Sequence, residues 1–426
     1  MNEIVPPAGS SQDGRRWLTP GVRGIGCASL FADVGHEIPT ALLPALLTSL
    51  GAPAAALGTI EGVSDALAGA ARFGGGALAD DPSRRRKVAV GGYTATAVLG
   101  AATAGASAVW QVGVLRAAAW TARGLRVPAR NALLADIVPA GTYGRAYGFE
   151  RMMDNLGAIF GPLLALGLVG WLGVSWAIGL SVVPGLLAAA AIVYAIRHTP
   201  RPTGRPRVRL RIRVRPVLKG DLGRLTAAVA AFEVGNAAVT LLILRASELL
   251  EPRHGAKAAT TIALGLYTAY NLAATLTAVP AGRLADRLGR RGPVLVLACG
   301  VAAFALAYGL LAFDVAAVAF LAVPFVLAGT GIGAVETGQH AAVATLAPED
   351  LRGSAFGMLA TVQSFGNLAA STLAGVLWTA FSPSVAFAYL TVWVSLALVC
   401  LAVVLRGMRY GGAPGRGAVS GGRGGR

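Results

Sequence analysis

Charge is scarce in this chain. Asp, Glu, Lys and Arg make up 13% of its 426 residues, 55% are hydrophobic, and the mean hydropathy is +0.63. A soluble domain carries about 25% charged residues, so the shortage excludes an ordinary soluble fold and indicates a polytopic membrane protein. Cysteine is sparser still. Cys27, Cys299 and Cys400 lie singly in separate apolar runs, which excludes a disulfide framework or a cysteine metal site and reads as three small buried hydrophobes. The sequence also lacks a nucleophile elbow, a Walker loop, zinc spacing and a strand-borne dinucleotide fingerprint, so neither an enzyme nor a cofactor is expected.

Apolar runs of membrane-crossing length recur along the whole chain. They predict twelve transmembrane helices at 22–48, 54–79, 88–106, 110–137, 143–169, 174–196, 223–249, 258–281, 293–312, 315–341, 353–379 and 384–405. The polar first twenty residues do not resemble a cleaved signal peptide. The net charge of +17 would suggest nucleic acid on a soluble fold, but here the basic residues cluster in alternate links, as in "RRRK" (84–87), 197–220, "GRLADRLGRR" (282–291) and the last twenty residues. That is the positive-inside bias. It predicts a multi-pass protein of the cytoplasmic membrane with both termini cytoplasmic and no nucleic-acid partner.

Self-similarity organises the chain. "ADVGHEIPTAL" (32–42) is answered by "FEVGNAAVTLL" (232–242), "GGALADDPSRRR" (75–86) by "AGRLADRLGRR" (281–291), and "PAGTYGRAYGFERMMDNLG" (139–157) by "PEDLRGSAFGMLATVQSFG" (348–366). The offset stays near 200–210 residues, so one six-helix unit is repeated. The expected fold is an all-α membrane protein of two pseudo-symmetric six-helix bundles. The expected parts are a cytoplasmic tail (1–21), an N-terminal bundle (22–196), a basic linker (197–221), a C-terminal bundle (222–407) and a disordered Gly/Arg-rich tail (408–426). A substrate site is expected between the halves near mid-membrane.

Charge inside the spans is the second strong signal. Arg116, Arg123, Arg126 and Arg130 lie in the fourth span, where an Arg at the bilayer centre costs about 2.5–3.5 kcal/mol. Helical spacing puts all four within an arc of about 80°, facing protein or water rather than lipid. Carboxylates on neighbouring spans offer partners: Asp33 and Glu37 beside His36, Glu61 and Asp65 on a face shared with Arg72, and Glu150 and Asp154 flanking Arg151. Spans 3, 6, 9 and 12 lack ionisable groups in their cores. The second half is less ionic, with Glu233, Asn236, Asn271, Glu336, Gln339, His340, Gln363 and Asn367. A mid-depth carboxylate is held between desolvation, which favours its neutral form, and a guanidinium, which favours its charge. Asp33, Glu37, Glu61 and Asp65 are therefore the candidate proton carriers, with His36 as a possible relay. Arg116, Arg123, Arg126, Arg130, Asp154, Glu233, Asn236, Asn271, Glu336 and His340 are the candidate cavity residues. A metal site is not expected.

These motifs resemble the major facilitator superfamily. "GRLADRLGRR" looks like its loop motif and "GALADDPSRRR" (76–86) is similar to the companion copy, with Asp81 where the usual residue is Arg. "LGTIEG" (57–62), "RGLRVPARNALLAD" (123–136) and "GRAYGFERMMDNLGAIFGPLLA" (144–165) resemble a bacterial branch of permeases. The resemblance implies a gating turn at Gly282, Asp286, Arg287, Gly289, Arg290 and Arg291, with Gly76 and Asp80 in the first copy. It implies spans 1, 4, 7 and 10 around the cavity and 3, 6, 9 and 12 outside. Gly157, Gly161 and Pro162 have the Gly-x-x-x-Gly-Pro pattern of antiporter members, and here Leu163, Leu164, Ala165 and Leu166 follow in place of further glycines. The expected function is alternating-access transport of a small molecule by a monomer in the lipid bilayer, with protons as coupling ion and efflux as the leading direction. Uptake of an anionic metabolite and a non-transporting receptor or assembly factor are the alternatives.

Overall fold

The computed structural model describes residues 17–199 and 214–410. The two expected tails and the Arg-alternating part of the linker lie almost wholly outside the described residues. Twelve long helices run through the described chain: α1 Pro20–Ser49, α2 Ala54–Ala79, α3 Pro82–Ala102, α4 Val109–Ile137, α5 Tyr143–Leu172 and α6 Val174–Arg197 in the first half. The second half comprises α7 Gly220–His254, α8 Ala256–Arg287, α9 Gly292–Leu311, α10 Val318–Leu346, α11 Arg352–Ala380 and α12 Pro383–Tyr410. Among the described residues, eight of these helices are apolar enough to cross a membrane on length and composition alone. The other four are α1, α2, α4 and α11, where buried charges and small polar residues dilute the apolar runs.

Helix ends follow local chemistry. Thr19 caps α1 by accepting the Val22 N–H at 3.4 Å, and Pro20 opens the helix where its missing N–H costs nothing. Asp81 caps α3 by accepting the Ser83 N–H at 2.9 Å, so the residue that departs from the loop motif starts the next helix. Gly173 (φ +79°) and Gly255 (φ +77°) make the tight turns out of α5 and α7, in a region that disfavours residues with a Cβ.

Six helices form each bundle. In the first, α1 packs on α5 and α6, and α4 on α2 and α3; in the second, α10 packs on α8 and α9, and α7 on α11 and α12. The bundles meet through α5 against α8 and α2 against α11. The core is mostly Ala, Leu, Val and aromatic, with Tyr147, Phe232, Phe304, Phe325 and Phe356 fully enclosed. Outward-facing Leu166, Trp171, Trp176 and Val392 give the bundles an apolar exterior suited to lipid. Cys299 is exposed on that exterior, which corrects its reading as a buried hydrophobe: lipid supplies the apolar environment from outside.

Candidate functional site

The bundles touch at the end that carries the loop motif, and there the contact is two-fold symmetric. The Asp286 carboxylate, at the end of α8, accepts the Gly144 N–H at 2.7 Å and the Arg145 N–H at 3.0 Å. These are orphan donors in the first turn of α5, so a residue of one bundle caps a helix of the other. Asp80, at the end of α2, accepts the Ser354 N–H at 2.8 Å and the Ser354 hydroxyl in the first turn of α11. Both motif copies thus cap a helix of the opposite bundle, despite the departure at Asp81. Gly282 lies against Gly144, and Gly76 against Gly353 and Gly357, so the helices approach backbone to backbone. Arg352 adds hydrogen bonds across the seam to the Tyr143 hydroxyl (2.7 Å) and to Asp136 (3.4 Å), and Asp136 also pairs with Arg85. Of the other motif residues, Gly289 supplies a turn at φ +67°, Arg290 lies 3.7 Å from Asp221, and Arg291 donates to the Met408 carbonyl at 3.0 Å.

Away from this end the bundles part. Gly58 and Gly62 on α2, Gly265 on α8 and Gly375 on α11 have open space where a Cβ would stand. Between the bundles lies a cleft of ≈ 690 Å³. Its wall brings together Asp33, Asp65, Arg123, Arg126, Arg130, Asp154, Glu233, Asn236, Glu336 and His340, all singled out in the sequence, with Arg72 and Arg151 beside them. Glu37, Glu61, Arg116 and Asn271 are off this wall. Arg116 and His36 instead line a smaller chamber of ≈ 20 Å³ inside the first bundle, and Asn271 donates to the Tyr267 carbonyl of its own helix at 3.0 Å.

Three of the four α4 arginines meet carboxylates. Arg116 lies 2.9 Å from Glu61, donates to the Thr40 hydroxyl at 3.0 Å and stacks 3.6 Å over the Trp120 ring. Arg123 lies 3.2 Å from Asp33 and 2.7 Å from His36 Nε2, and the His36 ring also sits 3.2 Å from Asp33 and 3.3 Å from Glu37. Arg130 lies 2.8 Å from Glu150 and 3.6 Å from Asp154. Arg126 differs. It stacks 3.9 Å over the Tyr93 ring, and its buried Nε and Nη1 have no hydrogen-bond partner among the described residues. The carboxylates that neighbouring spans offer to the α4 arginines do not pair with Arg126, because an aromatic face on α3 takes the place of an acid.

Further contacts, several of them beyond the reach of sequence spacing, complete the network. Asp65 accepts the Trp120 indole N–H at 2.7 Å, and Arg72 leaves its own helix face to bond Ser364 and the Ala360 carbonyl (3.2 Å) across the seam. Ser29 donates to Glu150 at 2.5 Å and accepts from Arg130 at 2.8 Å. Arg151 holds Glu150 (2.6 Å) and Asp154 (3.1 Å) and lies 3.9 Å from Glu336 in the opposite bundle. The His340 ring packs against Tyr147 and Phe356 while its Nδ1 lies 2.7 Å from the Glu336 carbonyl.

The second bundle contributes a broken helix. α7 stops at Gly235 and resumes at Val239, which corrects the continuous span predicted there. Side chains of α11 satisfy the freed backbone: Asn367 donates to the Asn236 carbonyl at 2.7 Å, and Ser371 accepts the Ala238 N–H at 2.8 Å. Glu233, just before the break, accepts from Asn236 (3.0 Å) and from Gln339 (3.1 Å), whose own carbonyl accepts from Gln363 at 2.7 Å. The Gly235–Asn236 pair was the available signal, since both residues favour helix ends.

The helix-5 glycines face α1. A Cβ at Gly157 would stand 2.6 Å from the Asp33 Cβ, and one at Gly161 would collide with Glu37. Pro162 follows within the helix.

Two repeated bundles around a polar cleft, closed at one end and parted at the other, have the architecture of a secondary transporter. The chain belongs to the Major Facilitator Superfamily, whose model matches residues 25–250 and again 225–421. It is 27% identical over 379 residues to an uncharacterised MFS-type transporter of Methanocaldococcus jannaschii, covering 88% of this chain and 92% of that one. It is 29% identical over 364 residues to an uncharacterised protein of Mycobacterium tuberculosis (strain H37Rv), covering 83% and 85%. Among solved structures, a bacterial homologue of the iron transporter ferroportin in an outward-facing state matches with a TM-score of 0.71 at 15% identity, over 92% of this chain and 99% of that one. The human organic anion transporter MFSD10 matches with a TM-score of 0.69 at 15% identity, over 90% and 99%. At these identities the structural likeness concerns the fold.

Proposed function

We propose that the chain exports a small drug-like or metabolic compound across the cytoplasmic membrane in exchange for protons, as a monomer. The basic residues at the motif end, Arg84 to Lys87, Arg283, Arg287, Arg290 and Arg291, support a cytoplasmic position for that end and for both termini. On that reading the structure is outward-open, with the Asp80 and Asp286 contacts as the cytoplasmic gate. The carrying observation is the Asp33–Arg123 pair at 3.2 Å on the wall of the cleft, with His36 bridging to Glu37 behind it. A proton entering the cleft neutralises Asp33 and weakens its hold on Arg123. The bundles then rock about the cleft, the cytoplasmic end parts, and loss of the proton inside restores the pair. Asp65 faces the same cleft and is the second candidate carrier, while Glu61 and Glu37 act through Arg116 and His36. Gly157 and Gly161 let α5 follow α1 during the movement.

The test is flux in proteoliposomes of known orientation. A pH gradient is expected to drive solute movement in the wild type, and Asp33→Asn is expected to retain folding and binding but lose the response to the gradient. An unchanged response in Asp33→Asn and Asp65→Asn would remove both from coupling.

A second reading, uptake of an anionic metabolite, is favoured by Arg126, a cation that lines the cleft and pairs with no carboxylate among the described residues. The sign of flux under one imposed gradient separates the two readings.

A further inference from the structure

A second basic feature lies outside the cleft. Trp17, Arg145, Arg283 and Arg287 surround a pocket of ≈ 310 Å³ at the motif end. The pocket straddles the seam. Arg145 belongs to α5 of the first bundle, Arg283 and Arg287 stand one turn apart on α8 of the second, and Trp17 precedes α1. The adjoining carboxylate is Asp286, whose oxygens are engaged by the Gly144 and Arg145 N–H groups and by Arg145 Nε at 2.8 Å. Arg283 and Arg287 are exposed and form no ion pair among the described residues. Three guanidinium groups against one carboxylate leave two positive charges facing a shared space.

The location narrows the counter-ion. The pocket lies at the start of α5 and the end of α8, both long and apolar enough to cross a membrane, and the ends of such helices are where headgroups are met. Trp17 is the kind of aromatic that settles at that interface, and its ring meets Phe149 edge-on at 6.2 Å, adding an apolar wall. Guanidinium forks match the oxygens of a phosphate, and basic pockets between transmembrane helices suit anionic headgroups. We propose that this pocket binds a phosphate group supplied by an anionic phospholipid of the adjoining leaflet. By bridging α5 and α8 beside Asp286, the bound lipid favours closure of this end. The inference does not depend on the transported solute or on proton coupling.

Native mass spectrometry of the full-length chain, delipidated and titrated with phosphatidylglycerol or phosphatidylcholine, tests it. Wild type is expected to retain one phosphatidylglycerol tightly and to show no comparable adduct with phosphatidylcholine. The double variant R283Q/R287Q is expected to bind phosphatidylglycerol roughly tenfold more weakly. The control R197Q/R406Q, which removes two exposed arginines elsewhere, is expected to bind like wild type. Thermal unfolding with inorganic phosphate is the second arm and is expected to show little protection. Protection by inorganic phosphate equal to that by phosphatidylglycerol would overturn the lipid as source. Equal phosphatidylglycerol retention in R283Q/R287Q and wild type would overturn the site itself.

Discussion

Gly157 of α5 is the seat of Asp33 of α1: a Cβ at 157 would stand 2.6 Å from the Asp33 Cβ and 2.7 Å from the Leu30 carbonyl oxygen. The repeat reproduces the relationship, since a Cβ at Gly366 of α11 would stand 2.5 Å from the Cβ of Glu233 on α7. Each bundle thus places an acid beside the cleft by bringing a glycine face against it. Gly157→Ala and Gly366→Ala are expected to destabilise by about 1–3 kcal/mol through overpacking. Gly58→Ala and Gly62→Ala, which meet open space, are expected to leave unfolding in detergent unchanged or slightly improved.

The trans caps at the motif end predict how that end opens. Losing a helix cap costs about 0.5–2 kcal/mol, so Asp80→Ala and Asp286→Ala should each shift the balance away from the closed arrangement. Spin labels at Gly141 and Leu288, on loops of opposite bundles, report it. The inter-label distance distribution is expected to lengthen in either variant and most in the double variant. An unchanged distribution would mean that the caps do not hold the bundles together.

Glu150 is the hub of the buried charge network. Its side chain is 1% exposed and takes Arg130 at 2.8 Å, Arg151 at 2.6 Å and Ser29 at 2.5 Å. Glu150→Gln leaves two buried guanidiniums short of a counter-charge and is expected to cost about 3–5 kcal/mol. Adding Arg130→Gln should restore part of that loss. Independent, additive effects in unfolding measurements would show that the pair is not coupled.

Outside the membrane-spanning segments, Asp314 in the α9–α10 link ties down buried Arg245, with 2.5 Å between Arg245 Nη2 and Asp314 Oδ1. The Arg245 hydrogen bond holds the Asp314 carboxyl below its ordinary value. A lowered folded-state value means that the stabilisation is complete above the unfolded value, near 3.8, and is lost as pH falls through the lower folded value. Asp314→Asn should therefore melt slightly below wild type from pH 7 to about pH 5, with the gap closing below about pH 4. The effect should be small because the Asp314 side chain is 73% exposed.

Much of this arrangement is legible in the chain itself. The repeat pairs Asp33 with Glu233 and Asp80 with Asp286; in the structure the first two each sit against a glycine of a facing helix, and the second two each cap a helix of the opposite bundle. Periodicity alone gathers the α4 arginines on one face, because lipid cannot solvate them. Partner identity is less legible. Helical spacing says which way Arg126 points but not that Tyr93 presents a ring there, and it pairs Arg72 with Asp65 on one helix when the nearest acceptors lie on α11. Backbone breaks are hidden for the same reason: α7 can break after Gly235 because Asn367 and Ser371, more than 130 residues away in sequence, satisfy the freed backbone groups. Arg245 lay within a predicted span, but its partner lies in a short link whose position only the folded bundle sets.

The central claim, that protons entering the cleft drive solute movement, is tested most directly by transport into inside-out proteoliposomes. Labelled compounds would be screened with an acid-inside gradient, and again after a protonophore collapses it. The account predicts that a transported compound accumulates only while the gradient stands, and that Asp33→Asn abolishes this accumulation while leaving gradient-free exchange intact. Accumulation that is indifferent to the gradient in the wild type would contradict it.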